Sequence, residues 1–305
     1  MNRHCTILTT AAFLALSALW MGMVSEPLHA ADEPLRIIAF GAHPDDCEIR
    51  AAGVAAKWAE QGHKVKFVSV TNGDIGHSVI AGGPLAIRRT QEVECAAEIL
   101  GIETEVLDNH DGELLPTLEI RKDIIRLIRE WNADLVLTNR PNDYHPDHRY
   151  TSILVQDAAY MVTVPFICPD VKPMQKNPVF MYWGDRFEKP YPFDPIIAVS
   201  IDDVIEKKYR ALDCLVSQFH EYGANGSGNP DDFFVSDDWN ERLEFLRNRF
   251  ERRYVVDDQI RQILADYYGP ERAKEIKLVE AFELCEYGSQ PNKEQLKRLF
   301  PFFDE

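Results

Sequence analysis

Twice along this 305-residue chain a short apolar run stops at a polar turn containing His-Pro-Asp. Leu35 to Phe40 (LRIIAF) passes through Gly41 into Ala42-His43-Pro44-Asp45-Asp46. Asp134 to Thr138 (DLVLT) passes into Asn139 to His148, which ends in His145-Pro146-Asp147-His148. Uninterrupted apolar runs between turn signals are the mark of strands covered on both faces, as in parallel sheets flanked by helices. Helical periodicity follows each turn. From about Cys47 to Gln61, Ile49, Ala52, Ala56 and Ala59 share one side, with a stop at Gly62; the second helix begins near Asp147 and reaches about Met161. Strand, turn and helix in that order confine the chain to the α/β class. They predict right-handed crossovers and a Rossmann-like, mostly parallel sheet flanked by helices.

The alternation continues between and beyond the two turns. Lys64 to Thr71 reads as a strand, Asn72 to Gly83 as a Gly-rich loop, and Pro84 to Leu100 as a helix closed by Gly101. Thr104 to Leu107 is a short strand, and Leu118 to Trp131 a helix whose apolar stripe is Ile120, Ile124, Leu127 and Ile128. Proline and aromatics crowd Val164 to Pro195, which predicts an irregular packed connection. A strand over Ile196–Ile201, a helix over Asp202–Phe219, a loop over Glu221–Pro230 and a charged helical stretch over Trp239–Tyr268 follow. Lys277 to Cys285 is the last strand candidate. The expected division is a core over residues 31–220 and a helical and strand extension over 221–305 packed on it.

Residues 1–30 read as a signal peptide: Arg3, an apolar run from Ala11 to Val24, then a polar stretch ending in Leu28-His29-Ala30. That run is shorter than the ~20 residues that span a bilayer. The expectation is an exported protein, periplasmic or secreted, with no stable membrane insertion after cleavage; a retained anchor is the alternative. A formal net charge of −17 repels phosphate backbones and anionic membranes, which excludes nucleic acid as a partner. Beyond the signal the cysteines are Cys47, Cys95, Cys168, Cys214 and Cys285, an odd set without a CxxC pair. Most read as small buried hydrophobes, with one disulfide open to an oxidising compartment. Nothing in the sequence speaks to oligomeric state.

In open α/β sheets, functional groups gather beyond the carboxyl ends of the strands, so both turns point to one sheet edge. Imidazole and carboxylate together suit a borderline divalent ion such as Zn²⁺. His43 and Asp46 lie three apart across a strand-to-helix turn and can aim at one point. A third ligand from the other turn leaves a position for water, as catalytic rather than structural zinc requires. Asp45 is then left to act as general base, and His145 to stabilise an oxyanion or protonate a leaving amine. The plainer alternative has Asp45 or Asp46 capping the helix that follows the first turn, and Asp147 the helix that follows the second.

Ala42 to Glu48 (AHPDDCE) resembles the first signature of the PIG-L/LmbE-like de-N-acetylases, and Pro141 to His148 (PNDYHPDH) resembles the second. Asn72 to Gly76, Arg89-x-x-Glu92 leading to Leu100-Gly101, and Ser217-Gln218 extend the likeness over roughly residues 35–220. The resemblance implies a Rossmann-like fold and hydrolysis of N-acetyl groups, chiefly on N-acetylglucosamine-containing conjugates. It implies Zn²⁺ on His43, Asp46 and His148, Asp45 as base, His145 facing the oxyanion, and Asp147 orienting His145. Substrate contacts are expected from Arg89, Asp74, Tyr144 and Asn142. The chain departs from the family at Arg50-Ala51-Ala52 and at Leu215, positions expected to shape what binds beside the metal.

Other residues carry two readings. Cys47 adjoins the motif but matches a ligand set less well than Asp46. His77 and His110 lie in loops at the same edge, as substrate contacts or surface histidines. Arg89 and Glu92 suit either a pocket wall or a helical ion pair. Arg140 flanks the second motif; Tyr182, Trp183 and Phe187 suit sugar stacking or plain packing. The expected activity is zinc-dependent removal of an N-acetyl group from a small-molecule or glycan amino-sugar substrate. The alternatives are an N-acyl hydrolase of a non-sugar metabolite and a secreted carbohydrate-binding protein without catalysis.

Overall fold

The computed structural model describes residues 33–221, 233–234 and 236–303; the signal segment expected over 1–30 lies outside them, as does most of the loop expected over 221–230. Pro34 to Glu305 forms one compact unit. Its frame is a seven-stranded sheet of β1 (Arg36–Gly41), β2 (Lys64–Ser69), β3 (Glu103–Val106), β4 (Leu135–Thr138), β5 (Val179–Trp183), β6 (Ile197–Ser200) and β7 (Val279–Gly288). The spatial order is β3-β2-β1-β4-β5-β7-β6. The first five positions are parallel, and β7 runs antiparallel to both neighbours.

The period-two side-chain alternation of β1 explains its unbroken apolar sequence. Ile37 and Ala39 enter one core, Ile38 and Phe40 the other, so both faces exclude water. The first core packs the sheet against α1 (Asp46–Glu60), α2 (Gly83–Leu100) and α5 (Ile205–Asp213). The second packs it against α3 (Leu118–Trp131) and α4 (Pro146–Met161). α1 approaches closely because its buried face is built of Ala51, Ala52, Gly53, Ala55 and Ala56. A Cβ at Gly53 would stand 2.5 Å from Ile201 Cγ2, so only glycine fits there.

The structure differs from the sequence expectations in three places. The connection expected over Val164–Pro195 contains β5, a fully buried strand (VFMYW) whose flanking prolines and aromatics disguise it. The helix expected over Asp202–Phe219 breaks into α5 and the single turn α6 (Val216–Phe219), and at the break Cys214 forms a disulfide with Cys95 of α2. The charged stretch after residue 238 divides into α7 (Trp239–Phe250), a 3-10 turn and α8 (Asp258–Tyr268), followed by α9 (Pro270–Glu275) and, after β7, α10 (Lys293–Leu299). The segment expected as an appended extension thus supplies β7, which lies inside the sheet between β5 and β6. Cys47, Cys168 and Cys285 are free and buried. Among the described residues no helix is long and apolar enough to cross a membrane.

Candidate metal centre

β1 and β4 are adjacent and parallel, so the turns that leave their carboxyl ends meet. His43 Nδ1 lies 3.2 Å from His148 Nε2 and 3.6 Å from Asp46 Oδ2, and His148 Nε2 lies 3.4 Å from Asp46 Oδ1. Ligand atoms ~2.0–2.2 Å from a tetrahedral ion stand about 3.3–3.6 Å apart, so these three side chains fit such an ion. Each histidine also turns its far nitrogen to a carboxylate. His43 Nε2 is 3.0 Å from Asp111 Oδ1 and 3.3 Å from Asp147 Oδ2; His148 Nδ1 is 2.9 Å from Asp143 Oδ1. Carboxylates behind ligating imidazoles fix the tautomer and ring direction, the usual support of a metal site.

The electrostatics ask for a cation. Burial opposes protonation of His43, yet the carboxylates of Asp111, Asp147 and Asp46 outweigh it and hold its pKa well above the ordinary value. His148 is raised in the same way, against burial, by Asp46 and Asp143. Asp46 is itself held low: burial works against it, but the two imidazoles prevail. A divalent ion at this point would satisfy the same carboxylates that favour the charged imidazoles.

Local backbone chemistry decides between capping and function. Asp46 begins α1, and its Oδ2 folds back to accept the N–H groups of Ala42 (2.9 Å) and His43 (3.0 Å), bracing the turn. Asp45 is the residue before the helix but makes no capping hydrogen bond with its side chain. Its carboxylate is buried, 3.3 Å from Arg89 Nη2; burial raises its pKa and Arg89 partly opposes the rise. Arg89 also donates to Pro44 O at 2.8 Å, so it grips the turn from α2. Deeper still, burial pushes the Glu48 carboxyl up to about 8.

In the second turn His145 caps α4: its Nδ1 accepts the Asp147 N–H at 3.2 Å. A neutral imidazole held in that way carries its proton on Nε2. Burial, then the neighbouring His43 and His148, keep the His145 pKa below the ordinary value, which favours that neutral donor. Asp147 meets His145 through its backbone N–H, and its carboxylate has a second task. That carboxylate accepts from Gly112 N (2.6 Å) and Leu114 N (3.3 Å) and faces His43, so it supports the first turn's histidine.

Of the substrate contacts expected, only Tyr144 stands open, 68% exposed, its ring against His145, His148 and Phe187. Arg89 is buried on Asp45. Asp74 is buried and accepts from Asp111 N and pairs with His110. Asn142 donates to Lys189 O at 3.0 Å, tying its turn to the loop after β5. Arg140 is buried on Asp185, and Tyr182 and Trp183 belong to the core. Cys47 points its thiol at Ala39 O, into the sheet. His77 pairs with Glu221 and accepts two backbone N–H groups. Glu92 holds Ser217 through N (2.9 Å) and Oγ (2.6 Å) and pairs with Arg88, leaving Arg89 to Asp45. The departures from the family lie in packing: Ala51, Ala52 and Leu215 are core, and Arg50 donates to Gly184 O.

Sequence reasoning missed Asp111 and Asp143. The first sits in the loop after β3 beside Gly112, whose φ of 79° marks a turn at the same sheet edge, the one signal available. A cavity of about 670 Å³, bordered by Asp134, Lys176 and Arg298, opens near the start of β4 and β5, at the other end of the sheet from this chemistry.

A parallel α/β sheet whose carboxyl edge gathers two histidines and an aspartate, each imidazole backed by a carboxylate, defines a class of divalent-metal enzyme. The chain belongs to the PIG-L family, described as GlcNAc-PI de-N-acetylase, whose pattern matches residues 38–159. It is 32% identical over 221 residues to diacetylchitobiose deacetylase of Thermococcus kodakarensis, spanning 69% of this chain and 79% of that one. It is 27% identical over 191 residues to 4-oxalmesaconate hydratase of Pseudomonas putida, spanning 60% and 74%. The N,N'-diacetylchitobiose deacetylase of Pyrococcus horikoshii shares the fold at a TM-score of 0.60 and 24% identity, covering 88% of this chain and 87% of that one.

Proposed function

We propose that this chain is a zinc-dependent N-deacetylase of amino-sugar substrates. The observation that carries the reading is the convergence of His43, His148 and Asp46 at 3.2–3.6 Å beside a buried Asp45 that makes no helix cap with its side chain. The donor set, two imidazoles and one carboxylate, suits zinc with a position left for water. Such an ion supplies acidity to that water and polarises the acetyl carbonyl. Asp45, pushed up by burial toward a useful basicity, takes the proton of the attacking water. His145 offers its Nε2–H to the carbonyl oxygen as negative charge grows there. Asp111 and Asp147 hold His43 in the tautomer that turns Nδ1 to the centre. Tyr144 at the mouth and Phe187 next to it present aromatic faces to a sugar ring.

The amino-sugar part of the reading is supported by the deacetylase relatives, and the site outside the cytoplasm by residues 1–30 and the Cys95–Cys214 disulfide. The test is acetate release from a panel of N-acetylated amino sugars. EDTA is expected to abolish it and Zn²⁺ to restore it. A metal-loaded protein that releases no acetate from any of them sinks the reading. A second reading, hydration of 4-oxalmesaconate, rests on the hydratase relative, whose likeness is lower in identity and in extent. Turnover of 4-oxalmesaconate, absent acetate release, decides for it.

A further inference from the structure

α1 is held by side chains distant in sequence at one turn beyond its metal-facing end. The Ile49 carbonyl, three residues after Asp46, accepts from Lys208 Nζ at 2.8 Å and from Tyr254 Oη at 3.0 Å. The N–H groups of Gly53 and Val54 donate to the two carboxylate oxygens of Glu280, at 2.9 and 2.8 Å. Lys208 and Glu280 form an ion pair, both buried, and Lys208 Nζ lies 4.0 Å from the centre of the Tyr254 ring. These partners come from α5, from the turn after α7 and from β7, 159 to 227 residues away in sequence from the α1 groups they hold.

Side chains that reach the backbone of a helix interior are unusual, because helix N–H and C=O groups already have partners along the helix. A buried ion pair is also a poor way to gain stability, since well-packed apolar residues of the same volume do as well or better. What charged groups supply instead is direction: an ammonium and a carboxylate pin particular backbone atoms, which apolar packing does not. Gly53 lets the helix come close enough, since a Cβ there would lie 3.1 Å from Glu280 Oε1.

We propose that Lys208, Glu280 and Tyr254 are positioning residues that fix the first turn of α1, and so the placing of Asp45 and Asp46 against His148. This rests on the metal-site reading above. None of the three touches the site's own side chains; they act through the helix backbone.

The double variant Lys208→Met, Glu280→Gln keeps volume and removes both buried charges together. Zn²⁺ affinity, measured with Zn²⁺ alone by competition against a chelating dye, is expected to weaken about tenfold while the far-UV spectrum is kept. kcat is expected to fall and KM to hold. Tyr254→Phe, which leaves the charges paired, is expected to weaken Zn²⁺ binding roughly two- to fivefold. Unchanged Zn²⁺ affinity in the folded double variant overturns the proposal; should that variant not fold, unchanged affinity in Tyr254→Phe overturns it. Because affinity is read without substrate, a protein that binds Zn²⁺ but deacetylates nothing sinks the deacetylase reading and leaves this result to stand on its own.

Discussion

In the turn after β1 the side chains point inward and the backbone is braced by its own aspartate, Asp46 closing on the N–H groups of Ala42 and His43. In the turn after β4 the histidine does the bracing, His145 capping α4, and the aspartate reaches across to the other turn's His43. The two stretches are near-copies in sequence, yet one supplies two facing groups and a buried carboxylate, proposed as the base, while the other supplies one facing group, an imidazole proposed as a donor, and a support. The lesson is that a motif's letters specify which atoms are available, and the neighbouring strand decides what each atom meets.

Substitutions break this contrast in a graded way. Asp45→Asn is expected to lower kcat by roughly 10²–10⁴ while Zn²⁺ still binds, since a base is lost and the facing groups remain. Retained turnover would remove Asp45 from its role. His145→Ala is expected to cost roughly 10²–10³ in kcat, also with metal bound; if metal loss accompanies it, the second turn supplies two ligands and the contrast is misdrawn. Asp147→Asn is expected to weaken Zn²⁺ affinity about 10- to 100-fold, through His43. A purely kinetic effect, with affinity unchanged, would return Asp147 to His145. Arg89→Met is the gentlest. Arg89 opposes the burial that raises Asp45, so its loss leaves the Asp45 pKa higher and the base ionised only at higher pH. The acid limb of the kcat/KM profile should then move upward by on the order of one pH unit; a limb that stays or moves down contradicts the pairing.

Much of this was legible in the sequence, for reasons that differ by residue. β1 and β4 announce themselves because strands covered on both faces need apolar side chains throughout, and the turns after them inherit a shared edge. His43 and Asp46 could therefore be set against a third ligand from the other turn, which the family resemblance identified as His148. β5 could not be read, since its five buried residues sit among prolines and aromatics that serve equally well as loop packing. Asp111 and Asp143 were hidden because support of an imidazole needs only a carboxylate at the right distance, which leaves no periodicity. Pairing across long separations, such as Glu280 with Gly53, leaves none either.

The position of β7 has a consequence for how the chain reaches this fold. Among the described pairings β6 has β7 as its sole neighbour, and β5 has β7 along one side. A growing polypeptide therefore exposes an unpaired β5 edge and a solitary β6 until residue 288 has been made, and contacts so distant in sequence are slow to form. Synthesis order and assembly order are out of step: the sheet is completed from its interior, by a strand made after both of its neighbours. Such a sheet stays open until β7 has been made, which suits a chain proposed to cross a membrane before it closes.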